Sequence, residues 1–412
     1  MRYAFATLLF LHGVAHLVGF IVPWRPGPHA ADARTTDVAT VLGGRHRLRP
    51  VALRATSFFW LAGAVTFGVV AAGIWHGAEW APVAVFAASV LSLTLTVIWW
   101  PTARIGALVN AALIIAIVGV TWPRYARDLG AARERAAKNT TIMSTAAGPI
   151  EYVVAGDGDP ILVLHGTGGG WDQGLSSAGE LGRFGFKLII PSRFGYLGTP
   201  MPAGATPATE ADAWATLLDS LGVQRVAVVA FSAGTVPAFQ FAMRHPARVT
   251  RLALFVPAAG GILENPPPGP PAWVMNIVLR WDLPMWLTRQ ASPKTMWKLV
   301  AVPPALVPAL DADERAKLEH TVDEIFPVSR RASGIRYDAG NQSGREHLYP
   351  LEAIDIPTLF VTAEDDLYRT LPNARAAAAR MPRATILSYP TGGHLLLGHG
   401  ADVWPRVASF IR

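Results

Sequence analysis

A serine, a run of carboxylates and a histidine stand in the order Ser232, Glu364-Asp365-Asp366, His394 along this 412-residue chain, and these types can share the work of acyl transfer. A free serine hydroxyl is a poor nucleophile at neutral pH and needs a neighbouring base. Histidine takes and returns a proton near pH 7, and a buried carboxylate fixes its tautomer and stabilises the imidazolium. Ser232 lies in Ala230-Phe231-Ser232-Ala233-Gly234. Small residues two positions to either side suit a sharp strand-to-helix turn. Such a turn exposes the hydroxyl at a helix N-terminus, whose dipole favours developing negative charge. An N-cap serine gives the same local pattern, so the surrounding motifs must decide. His165-Gly166-Thr167-Gly168-Gly169-Gly170 can aim backbone N–H groups at an oxyanion. Each such donor is worth about 100- to 1,000-fold in rate. By position alone, Asp365 competes with Asp366 as the acid and His399 with His394 as the base.

These groups need strand ends to hold them, and the sequence supplies them. Short apolar runs suited to buried strands occur at 150–155, 160–164, 187–191, 225–231, 250–256, 357–362 and 384–389. Helical patterns at 208–221, 233–244, 371–381 and 401–411 separate most of them. Alternation of this kind predicts an α/β domain with a mainly parallel sheet covered on both faces. It places Ser232, the acidic run and His394 each after a strand, where ligands bind in such sheets. Between about 258 and 350 the alternation stops. Prolines at 266–268, 270 and 271 precede Trp273, Trp281, Trp286 and Trp297 among short helical patterns. This insert is expected to form a helical cap over the carboxyl ends of the strands.

Residues 147–412 resemble the α/β-hydrolase superfamily, close to its capped esterases and carbon–carbon-bond hydrolases. The matching pieces are His165-Gly166-x-Gly168-Gly169, Ser232 in its turn, Arg244-His245-Pro246-Ala247-Arg248-Val249, Glu364-Asp365-Asp366 and Gly393-His394. The resemblance implies Ser232 as nucleophile, His394 as general base and acid, and Asp366, three residues after Ala363, as the residue that orients His394. It implies an oxyanion hole of the Ala233 and Thr167 N–H groups, with Gly168 as the alternative donor. Ala230 and Ala363 replace family glycines without removing a chemical group. Neither a metal nor a cofactor is implied. The serine at the turn argues against the haloalkane-dehalogenase and epoxide-hydrolase branches, which need an aspartate there. His165 reads as a packing residue, Asp172 and Gln173 as capping the next helix, and Asp338 and Asn341 as structural hydrogen-bonders.

The first third of the chain differs in kind. Four apolar stretches, at 4–22, 55–75, 81–100 and 104–122, each have about the 20 residues needed to cross a bilayer as a helix. Trp24, Trp75, Trp80, Trp99, Trp100 and Trp122 fall near their ends, as an interfacial aromatic belt requires. The first run is too long for a signal peptide and lacks a small-residue cleavage site. The expected organisation is therefore a four-helix transmembrane domain over 1–123, a linker over 124–146 made of a helical extension and then a flexible junction, and a hydrolase domain over 147–412. Whole-chain composition agrees, with 51% apolar and 16% charged residues. Of the net charge of +7, residues 1–123 hold +5, from eight arginines against Asp32, Asp37 and Glu79. Anionic headgroups are the natural partner of that excess. No basic face interleaved with aromatics points to nucleic acid.

Arginines 25, 34, 45, 47, 49 and 54 flank the first loop, and Arg124, Arg127, Arg133, Arg135 and Lys138 follow the fourth stretch. The positive-inside rule is thus close to a tie. With no translocation cue before the C-terminal domain, both termini are assigned to the cytoplasm of a multi-pass cell-membrane protein. Abundant Arg and Ala with five Lys fit a bacterial chain. His12 and His16, four apart on one helical face, suit either a haem, metal or quinone contact or neutral imidazoles bonded inside the bundle. No matching ligand set on the other stretches favours the second. Asn110 reads as packing glue. The expected activity is hydrolysis of a small acyl substrate, a carboxylic ester first, with an apolar acyl group. Carbon–carbon or amide hydrolysis and a purely binding role are the alternatives. Oligomeric state is not legible.

Overall fold

The computed structural model of the protein describes residues 2–24, 40–100, 102–258, 271–341 and 349–412. Arg25, Arg34, the prolines at 266–268 and 270, and the Asn341 side chain lie outside the described residues. The chain divides into two compact units, Met1–Arg127 with Leu287–Pro293 and Asp128–Trp286 with Lys294–Arg412.

The first unit holds helices α1 (Arg2–Ile21), α2 (Pro50–His76), α3 (Ala81–Ile98) and the first part of α4 (Arg104–Ala137), with a two-residue antiparallel pair, β1 (Thr40–Val41) and β2 (His46–Arg47). Proline at the first position of α2 starts it without sacrificing a hydrogen bond, and Gly77 in the left-handed region stops it. All four helices are long and apolar enough to cross a membrane by length and composition. Burial is inverted relative to an ordinary core: Leu8, Phe59, Leu91 and Ile115 are exposed, whereas His16, Ser89, Ser92 and Asn110 are buried. His16, Ser92 and Asn110 bond one another and His12, whereas Ser89 Oγ takes no part in the circuit. Asn110 Nδ2 donates to Ser92 Oγ (2.7 Å) and to the Gly106 carbonyl (2.8 Å), which fixes its amide orientation. His12 Nε2 then donates to Asn110 Oδ1 (3.1 Å). His16 Nδ1 donates to the His12 carbonyl (2.9 Å), leaving Nε2 to accept from Ser92 Oγ (2.7 Å). Two neutral imidazoles satisfy the whole circuit.

The second unit is built on one eight-stranded sheet. Its strands are β3 (Thr141–Thr145), β4 (Gly148–Ala155), β5 (Asp159–Leu164), β6 (Phe186–Pro191), β7 (Val226–Phe231), β8 (Val249–Phe255), β9 (Thr358–Ala363) and β10 (Ala384–Tyr389). Their order is β10-β9-β8-β7-β5-β6-β4-β3, parallel from β10 to β6 and antiparallel at β4 and β3. The parallel strands are continuous apolar runs because both faces are covered. Along β7, Val226, Val228 and Ala230 join one core cluster, and Ala227 and Val229 join the other.

The covering helices are α5 (Trp171–Ala178), α6 (Pro207–Ser220), α7 (Thr235–Arg244), α13 (Thr370–Arg380) and α14 (Gly400–Ile411). Between β8 and β9 lie the cap helices α8 (Ala272–Arg280), α9 (Asp282–Ala291), α10 (Pro293–Leu299), α11 (Ala312–Glu324) and α12 (Ala332–Asn341). Over 124–146 the expected helical extension is present, α4 running to Ala137, whereas the expected flexible junction is corrected: residues 141–145 are the edge strand β3. Its β-branched Thr141, Ile142 and Thr145 favour that state, and Gly148 at φ 109° makes the turn into β4.

Candidate active site

β7 runs into Ser232, whose backbone is held at φ 49° before the chain enters α7. A non-glycine residue in the left-handed region is strained and persists only where its surroundings impose it. Two close approaches impose it here. A Cβ on Gly234 would stand 2.6 Å from the His165 carbonyl oxygen and 2.7 Å from that of Leu164. One on Gly166 would stand 3.0 Å from the Ser232 Cβ. The pairing of Leu164 with Ala230 brings the turn and the Gly-rich loop side by side. Ala230 is fully buried in the core.

At the next pair of strand ends, Ala363 is in register with Tyr389, so the acidic run and the histidine turn emerge together. His394 Nδ1 lies 2.8 Å from Asp366 Oδ2. The Asp366 carboxylate also accepts from the Tyr368 amide (2.9 Å) and from the Thr370 hydroxyl. Burial pulls this carboxyl upward, but the facing His394 and those donors outweigh it, and its pKa lies below the ordinary aspartate value. Asp365 has another task, accepting from the amides of Gly393 (2.8 Å) and Gly392 (3.3 Å) and so bracing the turn that carries His394. His399 stacks on Tyr389 with ring centroids 4.2 Å apart. Of the two acids and two histidines open from position, the structure therefore pairs Asp366 with His394.

The loop after β5 is held from behind by Asp338, the structural hydrogen-bonder expected from the sequence, and by Arg193 and Arg331, which position alone did not reveal. Asp338, on α12, is a buried hub. It accepts from both terminal nitrogens of Arg193 (2.6 and 3.1 Å), from Tyr196 Oη (2.6 Å) and from Thr167 Oγ1 (2.9 Å). Arg193 Nε lies 3.6 Å from Glu210, which also accepts from the Phe194 amide. Burial, only partly countered by Arg193 and that amide, raises the Glu210 carboxyl to about 7. His165 donates through Nδ1 to the Gly166 carbonyl and accepts the Arg193 amide at Nε2; burial and the neighbouring Arg193 push its pKa well down, so it is a neutral packing residue.

The capping expected of Asp172 and Gln173 holds for the first residue only. Asp172 Oδ1 accepts the first-turn amide of Gln173 (2.9 Å), although the N-cap position of α5 is Gly170, and its carboxylate also pairs with the buried Arg331 (2.6 Å), whose other nitrogen donates to the Gly169 carbonyl (2.6 Å). Gln173 instead accepts the Gly166 amide (3.1 Å). The signal for this network was the polar run Ser192-Arg193 directly after a strand, where a buried charge needs distant partners.

A cavity of about 860 Å³ lies beside His394, lined by Phe231, Phe255, Trp404, Ser176 and Lys317 among others. Among the described residues, no group of three or more His, Asp or Glu side chains could hold a metal ion. The arrangement offers a serine hydroxyl on a strained turn, an imidazole oriented by a buried carboxylate, and a Gly-rich loop braced from the cap.

Comparison with known proteins agrees with this architecture. Residues 159–401 match the family model described as alpha/beta hydrolase fold. An uncharacterized hydrolase of Bacillus subtilis is 27% identical over 262 residues, which is 60% of this chain and 89% of the relative. A 2-hydroxy-6-oxo-6-phenylhexa-2,4-dienoate hydrolase of Burkholderia cepacia is 25% identical over 263 residues, covering 61% and 87%. Among solved structures, an alpha/beta hydrolase fold protein from Nakamurella multipartita superposes with a TM-score of 0.54 at 28% identity, over 66% of this chain and 98% of its own. An esterase from Exiguobacterium antarcticum shares the fold at 17% identity, with a TM-score of 0.52 and coverage of 66% and 98%. With the matched region spanning more than half of its length, the chain belongs to the α/β-hydrolase family and is an enzyme of the hydrolase class.

Proposed function

We propose that this protein is a membrane-anchored serine hydrolase that cleaves a carboxylic ester or related acyl compound through an acyl-Ser232 intermediate. The observation that carries the reading is the 2.8 Å contact between His394 Nδ1 and the buried Asp366. With Nδ1–H donated to an ionised carboxylate, the lone pair is on Nε2. Ser232 Oγ adds to the substrate carbonyl as its proton passes to His394 Nε2, and the oxyanion is stabilised by the Ala233 and Thr167 amides. Collapse expels the alkoxide, which takes the proton from Nε2; water then repeats the sequence to release the acid and free Ser232. Phe231, Phe255 and Trp404 beside His394 support an apolar acyl group, in a cavity that also carries Asp313, Glu314 and Lys317. The four apolar helices support a multi-pass anchor in the cell membrane.

The test is labelling of the protein in membranes with a fluorescent fluorophosphonate. Wild type should label and folded Ser232→Ala should not; equal labelling would overturn the nucleophile assignment. A second reading, carbon–carbon bond hydrolysis, draws support from the Burkholderia cepacia relative. A kcat/KM for a 2-hydroxy-6-oxo-dienoic acid above that for any ester would put it first.

A further inference from the structure

Seven tryptophans of the described residues are exposed, and their distribution is not random. Trp24, Trp75, Trp80, Trp100 and Trp122 lie at or near ends of the apolar stretches α1 to α4. The other two, Trp273 and Trp281, belong to one short piece of the cap. All remaining tryptophans of the second unit are buried or half-buried.

On α8 and the residue after it, the exposed positions are Trp273, Asn276, Ile277, Arg280 and Trp281. They are spaced i, i+3, i+4, i+7 and i+8, which is one helical face. The opposite face, Met275 and Leu279, packs into the cap's apolar cluster with Met285, Met296 and Leu318. The helix is therefore apolar on both sides. Trp273, Ile277 and Trp281 are 67%, 50% and 61% exposed. Their face carries one cation and one amide but no acid. A face turned permanently to water is normally charged, whereas indole rings with a polar edge, an aliphatic side chain and an arginine are the mixture that settles at a lipid–water boundary.

We propose that the outer face of α8 is a lipid-contacting surface that rests in the headgroup region of a bilayer. The occupant is argued from the chain itself: it carries four helices able to cross a bilayer, so any lipid surface is always within tether range. The inference rests on the membrane-anchor reading. It implies that the cap meets apolar esters as they lie in the membrane, so that substrate reaches the site by lateral diffusion.

The chain has no cysteine, so single cysteines introduced for spin labelling report unambiguously. In full-length protein reconstituted in phosphatidylcholine–phosphatidylglycerol nanodiscs, Asn276→Cys is compared with Leu91→Cys, exposed on α3, and Ser220→Cys, exposed at the end of α6. The ratio of oxygen to nickel-chelate accessibility at 276 should fall between the hydrocarbon value at 91 and the aqueous value at 220. A value at 276 equal to that at 220, with 91 in hydrocarbon, overturns the inference alone. Aqueous values at both 276 and 91 overturn the anchor reading and the inference together. As a second measurement, Trp273→Ala/Trp281→Ala should raise KM for a bilayer-dispersed long-chain ester about tenfold while kcat/KM for a soluble short ester stays unchanged. Unchanged KM for both esters would also overturn it.

Discussion

Each unit of this protein buries a network tied together by histidines, yet the two networks obey different rules. In the helical unit, His12, His16, Ser92 and Asn110 close a circuit of neutral donors and acceptors, and the apolar side chains face outward. In the α/β unit, His165, Arg193, Asp338 and Glu210 form a charged cluster beneath an apolar sheet core. The difference teaches what each surrounding can support. A neutral circuit demands no counter-charge and, on the membrane-anchor reading proposed above, its amide and hydroxyl bonds are worth little individually because alternative partners exist. A buried charged cluster is costly to break, because removing one partner strands another charge. The charged network also braces the loop beside Ser232, and so couples stability to chemistry.

Four substitutions sharpen or break this contrast. Ser232→Ala touches neither network and should remove on the order of 10⁴- to 10⁶-fold of esterase kcat, with thermal unfolding unchanged. Asp338→Asn strands Arg193 and frees Thr167 and Tyr196. It should destabilise the α/β unit by about 3–5 kcal/mol in thermal scans and lower the fluorophosphonate labelling rate at temperatures where the protein remains folded.

Glu210→Gln tests the pH dependence built into the cluster. A carboxyl raised to about 7 keeps its proton in the folded state after the unfolded chain has lost it. Wild-type stability therefore falls as pH climbs from the ordinary glutamate range to about 7, then levels off. The difference in stability between wild type and Glu210→Gln, read from thermal unfolding, should follow that slope, on the order of 3 kcal/mol across the window; a pH-independent difference would show that Glu210 is ionised throughout. Asn110→Leu should have the smallest effect, about 0.6 and at most about 1.7 kcal/mol. A loss as large as that of Asp338→Asn would erase the distinction between the networks.

Much of the fold was legible because its cause is local. The runs predicted as strands from 150–155 to 384–389 agree with β4–β10 to within two residues at each end. Buried parallel strands must be apolar on both faces, and that leaves an unmistakable mark. β3 was not legible. An edge strand half-covered on one side has no apolar run, and Thr141–Thr145 reads as linker until β4 is there to pair with it. The choice between Asp365 and Asp366 came from resemblance rather than from spacing. Adjacent aspartates point to opposite sides of a turn, and only the fold shows which side holds His394 and which holds Gly392 and Gly393.

The amino-acid sequence alone determined the order of nucleophile, acid and base, the strand ends that carry them, the Gly-rich loop and the four apolar helices, because periodicity and backbone permissiveness act over a few residues. Only the tertiary structure decided how Arg193, Glu210, Arg331 and Asp338 are used. These side chains lie up to 171 residues from the groups they hold, as between Asp338 and the Thr167 hydroxyl. A buried charge is satisfied by whatever partner packing brings within about 3 Å, and packing is a property of the whole sheet and cap rather than of any segment.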